Sequence, residues 1–117
     1  MSDEQLKHIT IPFNEWSVER INAGKKCATC RTKRYGQRNS RFFVDDIEYR
    51  IEFILQVPLW FIGEYLFGTE GATSTEEFVK VWKEIHPING WVAGQEVYYH
   101  FFSPTGFRKD KVMVKGK

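Results

Sequence analysis

Apolar and polar residues alternate most regularly between Ile47 and Phe53. Ile47, Tyr49, Ile51 and Phe53 take one side, and Glu48, Arg50 and Glu52 take the other. A period of two predicts a strand with one face in the core and one in water. The apolar run continues to Pro58, where the strand is expected to end. Upstream, Arg41-Phe-Phe-Val44 reads as its hairpin partner, turned at Asp45-Asp46. Three further strands are expected: His8–Pro12, short and marked by its proline as a strand end or edge; Lys26–Thr32; and Gln95–Phe102.

Helical spacing appears in three places. Asn14 is a fit N-cap for a helix running to about Ala23, with Glu15 in its first turn and Gly24 where helices commonly end in a left-handed residue. Leu59 to Phe67 reads as a short apolar helix stopped by Gly68. Ser74-Thr-Glu-Glu77 has the form of a capping box, in which Ser74 takes the Glu77 N–H and the Glu77 side chain reaches back. Phe78, Val81, Trp82 and Ile85 then recur on one helical face until Pro87. Trp60, Phe61, Tyr65 and Trp82 are expected in the core. Strands and helices do not alternate regularly, so an α+β fold is expected rather than a doubly wound sheet.

At 117 residues the chain makes one domain. Four Trp, five Tyr and ten Phe supply an aromatic interior and argue against disorder. No apolar run reaches the length of a membrane span. The acidic, polar opening MSDEQLKHIT lacks the pattern of a signal peptide, so a soluble, cytoplasmic protein without a membrane partner is expected. Two cysteines are too few for a disulfide framework.

The net charge of +2 hides a segregation. Lys25, Lys26, Arg31, Lys33, Arg34, Arg38 and Arg41 follow one another with no acidic residue between them. The core is expected over residues 9–102, and residues 103–117 read as a basic tail, with Arg108, Lys109, Lys111, Lys115 and Lys117 against Asp110. Such clusters attract anions or are simply solvated. Within the first cluster, Cys27-Ala-Thr-Cys30 has the spacing of a metal or redox pair. No second pair exists, His8, His86 and His100 are scattered, and the pair follows a helix instead of opening one. Two small residues of a buried strand fit better, so no metal or cofactor is expected.

The same stretch, INAGKKCATCR, resembles the signature of the ASCH family, small domains with a PUA-like β-barrel. RFFVDDIEYRI is similar to that family's hairpin, EGATSTEEFVKVWKEIHP to its helical segment, and QEVYYHFF to its closing strand. The resemblance covers about Ile9 to Phe102. It implies a pocket. In members similar to N4-acetylcytidine amidohydrolases, a Lys, a Thr and a Glu form the catalytic set, and these fall on Lys26, Thr29 and Glu70; Arg31 matches the motif arginine. Some members have Glu at the position of Thr29 and are associated with RNA cleavage, so threonine tilts this chain toward the amidohydrolase-like group.

The residues can be weighed on their own chemistry. Amide hydrolysis needs an activated nucleophile, a proton donor for the leaving amine and oxyanion stabilisation. Thr29 is a weak nucleophile without a base, and Lys26 is a base only where burial or neighbouring cations lower its pKa. Glu70 can orient water or carry a proton. Ligand contacts are expected from Arg31, Lys25, Lys33, Arg34 and Arg38, and from Tyr35 and Trp91 as stacking rings; Trp91 also suits a lid over the core. The expected ligand is RNA or a nucleoside. Hydrolysis of an acylated pyrimidine nucleoside, non-catalytic RNA binding through the basic rim, and RNA cleavage all stay open, in that order.

Overall fold

The computed structural model describes residues 8–109; the acidic opening segment and the tail beyond Lys109 lie outside them. Helix α1 (Glu15–Asn22) is followed by β1 (Ala28–Arg31), β2 (Arg41–Val44) and β3 (Ile47–Pro58). A helical stretch begins at α2 (Leu59–Phe61), α3 follows (Thr75–Ile85), and β4 (Glu96–Arg108) closes the chain. The four strands form one antiparallel sheet in the order β1-β4-β3-β2. The sheet is an open half-barrel, with helices against it, as an α+β fold requires. Among the described residues no helix is long and apolar enough to cross a membrane.

Local chemistry accounts for most element boundaries. Asn14 caps α1 through Oδ1, which accepts from the Ser17 N–H at 2.8 Å. Gly24 follows the helix at φ +75°, and its N–H reaches the Ile21 carbonyl at 3.0 Å. Ser74 caps α3 by accepting from the Glu77 N–H at 3.1 Å. The Glu77 carboxylate reaches back one residue further than a capping box requires, to the Thr73 N–H at 2.7 Å. Asp45 turns the β2–β3 hairpin at φ +54°.

The core has two parts. Phe42, Val44, Tyr49, Ile51 and Phe102 pack with Ile11 and Ile21 at the α1 side. Leu59, Ile62, Phe78 and Trp82 pack with Ala28, Cys30, Val97 and Tyr99 on the other side. Alternation along β4 feeds both: Val97 and Tyr99 point one way, Phe102 the other.

Several expectations change. The segment His8–Pro12 makes only a bridge between His8 and Arg41, since Ile11 is used for packing and the Pro12 carbonyl goes to a side chain. β1 is shorter than Lys26–Thr32, because Lys26 bridges to Glu70 instead of to the sheet. The alternation in β3 breaks where the pairing with β4 shifts between Ile47 and Tyr49 and between Ile51 and Phe53. Such bulges re-aim side chains; Phe53 emerges 41% exposed, and Glu48 is buried. The helix after Pro58 is not stopped by Gly68. It widens to a π-turn over Ile62–Leu66 and tightens to a 3₁₀ turn over Phe67–Thr69. Tyr65 in the π-turn and Trp60 on α2 before it are 64% and 43% exposed, outside the expected core. β4 runs six residues past Phe102, so the stretch to Arg108 is sheet and not tail.

Gly36 is the sharpest steric constraint in the loop between β1 and β2. Its φ is +64°, and a Cβ there would lie 2.7 Å from Ile9 Cδ1 and 2.8 Å from Ser40 Oγ. Gly24 has a similar φ of +75° with nothing within 4 Å. Gly36→Ala is therefore expected to destabilise more than Gly24→Ala, by roughly 1–3 kcal/mol of overpacking, measured by urea denaturation of both variants.

Candidate functional site

A cavity of about 270 Å³ opens between the start of α1, β1 and the loop after it, Glu70 and one face of α3. Lys26, Thr29, Arg31 and Glu70 all line it, joined by Lys33 and Tyr35 from the loop. The cavity thus brings together the residues expected as catalytic and three of those expected to bind ligand.

Lys26 and Glu70 are only 6% and 4% exposed. Their backbones form an antiparallel bridge, and the Cys27 N–H bonds to the Thr69 carbonyl at 2.8 Å. Lys26 Nζ donates to Glu70 Oε1 and to the Glu70 carbonyl, each at 3.1 Å. Glu70 Oε2 is buried with no hydrogen-bond partner. Burial pushes the Glu70 carboxyl above the usual carboxylate range, while Lys26, Arg31 and the Cys30 N–H oppose that rise. Gly71 makes the approach possible. It has φ +93°, and a Cβ there would stand 3.0 Å from Arg20 Cδ and 3.1 Å from Lys26 Cβ. Arg20 locks the same turn by donating from Nε to the Gly71 carbonyl at 3.0 Å.

Thr29 is buried on β1. Its Oγ1 accepts from Arg31 Nε at 2.9 Å. Residues two apart on a strand share a face, which is why β1 can place this pair together. Arg31 is anchored in turn by the Pro12 carbonyl at 2.6 Å, and its guanidinium lies over the rings of Phe13 (4.9 Å) and Tyr35 (5.4 Å). Burial lowers the Arg31 pKa, with Tyr35 and Glu70 acting against that. Lys33 Nζ sits 5.6 Å from the centre of the Tyr35 ring.

The other expected residues stand elsewhere. Lys25, Arg34 and Arg38 are exposed and do not line the cavity. Arg34 Nε donates to the Gly36 carbonyl at 3.1 Å. Trp91 packs edge-on against Phe78, with ring centres 6.0 Å apart, and lies over Gly63. It covers the core, which is the second of the two roles considered for it. Cys30 is buried in the core and Cys27 half-buried just before β1; burial raises both thiols, Cys30 the more. No group of three or more metal-ligating side chains occurs among the described residues.

Sequence reasoning missed the α1 and α3 walls. Trp16 and Ser17 line the cavity from α1; Trp82 and His86, stacked at 4.0 Å, line it from α3. Trp82 carries the helical period of a core residue and has that role too. Nothing in its spacing marks the second one.

No family model matches the sequence, and no curated protein matches it. Solved structures do. A protein from Enterococcus faecalis V583 under the family model DUF984 superposes with a TM-score of 0.60 at 15% identity, over 88% of this chain and 81% of that one. The hypothetical protein PH0355 gives 0.59 at 18% identity, over 84% and 95%. An ASCH domain from Lactobacillus crispatus JV V101 gives 0.54 at 11% identity, over 84% and 78%. The chain therefore has the ASCH-type, PUA-like fold expected from its motifs.

The buried pair gives a prediction about stability. Lys26→Met leaves Glu70 buried without its cation and is expected to cost about 3–5 kcal/mol near pH 7.5. With its folded pKa raised further, Glu70 then binds a proton in the folded state before it does so unfolded. Part of the loss should therefore return as the pH falls toward 5. Urea denaturation of variant and parent at the two pH values measures both effects.

Proposed function

We propose that this cavity binds an acylated pyrimidine nucleoside of the N4-acetylcytidine type and hydrolyses its exocyclic amide. The observation that carries this reading is the Lys26–Glu70 pair with its orphaned Oε2, buried in the wall of a cavity that also holds a hydroxyl and a guanidinium. Burying an ion pair is costly, and leaving one carboxylate oxygen unsatisfied adds to the cost. Perturbed, partly unsatisfied groups in a cleft are features of sites that do chemistry. The volume favours a small ligand. About 270 Å³ falls just below the lower end of about 300 Å³ typical for small-molecule pockets.

The donor and acceptor pattern suits a nucleobase amide. Glu70 Oε2 offers an acceptor for an N–H, and Lys26 retains one donor beyond its two bonds to Glu70. In the proposed reaction, proton transfer from Lys26 to Glu70 leaves a neutral amine. Burial, which already raises the Glu70 pKa, favours that uncharged pair once ligand fills the cavity. The amine takes the Thr29 hydroxyl proton as Oγ1 attacks the acyl carbon. Arg31, already bonded to Oγ1, stabilises the developing alkoxide. The carbon–nitrogen bond breaks as the pair returns a proton to the leaving nitrogen, and water then cleaves the acyl ester on Thr29. The sum is amide plus water to carboxylic acid plus amine.

Lys26→Arg is the sharpest probe, since a guanidinium keeps the charge but does not act as a base near neutral pH. The expected outcome is acetate release from N4-acetylcytidine by the parent, with kcat lowered about 100-fold or more in Lys26→Arg and ligand still bound. No release by the parent across a panel of acylated nucleosides would remove the hydrolase reading.

A second reading, an RNA-binding surface, draws on the exposed loop cations Arg34 and Arg38. They follow Lys33 at the cavity rim with no acidic residue in the segment. Replacing both with Ala should change stability by less than about 0.5 kcal/mol. It should also flatten the salt dependence of RNA binding by roughly one unit per lost phosphate contact. Unchanged RNA binding at every salt concentration would make the segment a solvated loop.

A further inference from the structure

His100 stands between two elements of the cavity wall without lining the cavity itself. It is completely buried on β4, directly opposite Thr29 on β1. Both ring nitrogens are engaged. Nδ1 lies 3.1 Å from the Thr29 carbonyl, and Nε2 lies 2.9 Å from the Tyr35 backbone nitrogen. The Tyr35 contact fixes the tautomer. A backbone N–H only donates, so Nε2 is the acceptor; Nδ1 carries the proton and donates to Thr29. The neutral ring satisfies both partners at once.

We propose that His100 is a positioning residue for the cavity: its neutral ring ties the strand bearing Thr29 to the loop bearing Tyr35, and protonation releases the loop. This goes beyond the hydrolase reading and does not depend on it.

The loop's own bonds explain why this contact matters. The far half of the loop is pinned by the Asn39 N–H on the Ile51 carbonyl (2.8 Å) and the Gln37 N–H on Ser40 Oγ (3.0 Å). In the near half it is Tyr35 that reaches the sheet, through its N–H to His100. The Tyr35 ring also meets the His100 ring edge-on, with centres 6.1 Å apart. Tyr35 forms cavity wall and supports the Arg31 guanidinium, which holds Thr29 Oγ1. The His100 contact is therefore linked through Tyr35 and Arg31 to the proposed nucleophile.

Protonation places an N–H on Nε2, facing the Tyr35 N–H. Two donors then point at each other, and neither is satisfied unless the loop moves away. The charged groups around the ring add to that pressure. Arg31 on β1 and Arg34 on the loop both disfavour an imidazolium; the backbones of Thr29 and Tyr98 favour it; and the cross-strand neighbour on β3 is the uncharged Ile54. Burial is the largest effect, and the His100 pKa lies below the usual histidine value. The unfolded chain thus takes up a proton first, and stability falls as the pH drops from about 6.5 toward the folded pKa. Below that folded pKa the loop opens.

Amide hydrogen exchange by NMR tests this without any ligand. After correction for intrinsic exchange, protection at the Tyr35 amide should fall by up to about tenfold for each pH unit as the pH drops from about 6.5 to the His100 midpoint, and level off below it, with Asn39 unaffected. The His100 ring resonance supplies that midpoint. In His100→Gln the amide oxygen still accepts but does not titrate, so Tyr35 protection should stay level with pH. If that variant does not fold, the parent series decides. Tyr35 protection that stays level down to the acid-unfolding transition overturns the proposal, as does a fall of the same size in His100→Gln. The hydrolase reading fails separately: a Tyr35 amide that follows His100, with no acetate released, leaves the positioning role standing.

Discussion

The contact on which the site depends is the buried bridge between Lys26 and Glu70. It is made twice, once by backbone and once by side chain. Neither charge can be hydrated where it lies, so each requires the other. That requirement holds Lys26, two residues before β1, against the turn that precedes α3. Gly71 is needed because a side chain there would push Lys26 away, and Arg20 of α1 clasps the same turn. Three elements are thus set around one ion pair, and the cavity is the space they enclose with the loop after β1. A well-packed apolar pair would hold the same elements at less cost. The charged pair that stands there instead leaves one carboxylate oxygen buried without a hydrogen-bond partner.

Much of the fold was legible because its signals are local. Asn14, Ser74 and Gly24 act within one helical turn, and the Asp45-Asp46 turn within one hairpin. Such interactions are complete in the sequence window that contains them. The errors lie where distant pairing overrides local pattern. Phe53 follows the period-two rule in sequence, but the offset between β3 and β4 turns it outward. Tyr65 sits on an apolar run, yet a π-turn over Ile62–Leu66 changes the spacing on which a core face would rest. The length of β4 was hidden because Ser103, Pro104, Thr105 and Gly106 do not continue the apolar pattern that ends at Phe102. Hydrogen bonds from Ser103 to Glu52 and from Thr105 to Glu48 tie that polar stretch to β3.

The site was legible to a different degree. Lys26, Thr29 and Arg31 are close in sequence, and a strand's period is enough to relate them. Glu70 lies 44 positions from Lys26, and spacing alone does not join them; the ordered motifs of the ASCH resemblance did. Trp91 illustrates the limit of composition. A tryptophan in a glycine-containing loop suits stacking on a ligand or closing a core, and only its contact with Phe78 and Gly63 distinguishes the two. Trp16 and His100 carried no signal at all, because their roles arise from where α1 and β4 are placed.

The strand order has a consequence for how the chain is made. β1 is an edge strand whose sheet partner is β4, about 70 residues later in the chain. During synthesis the β2–β3 hairpin can close as soon as it emerges. Residues 26–31 have no sheet to join until nearly the whole described chain has been translated. Contacts of this range carry a loop-closure cost before they give any return, and they slow folding. The pocket is therefore among the last parts to exist on the ribosome. A nascent chain truncated before Glu96 would lack the strand that joins β1 to β3.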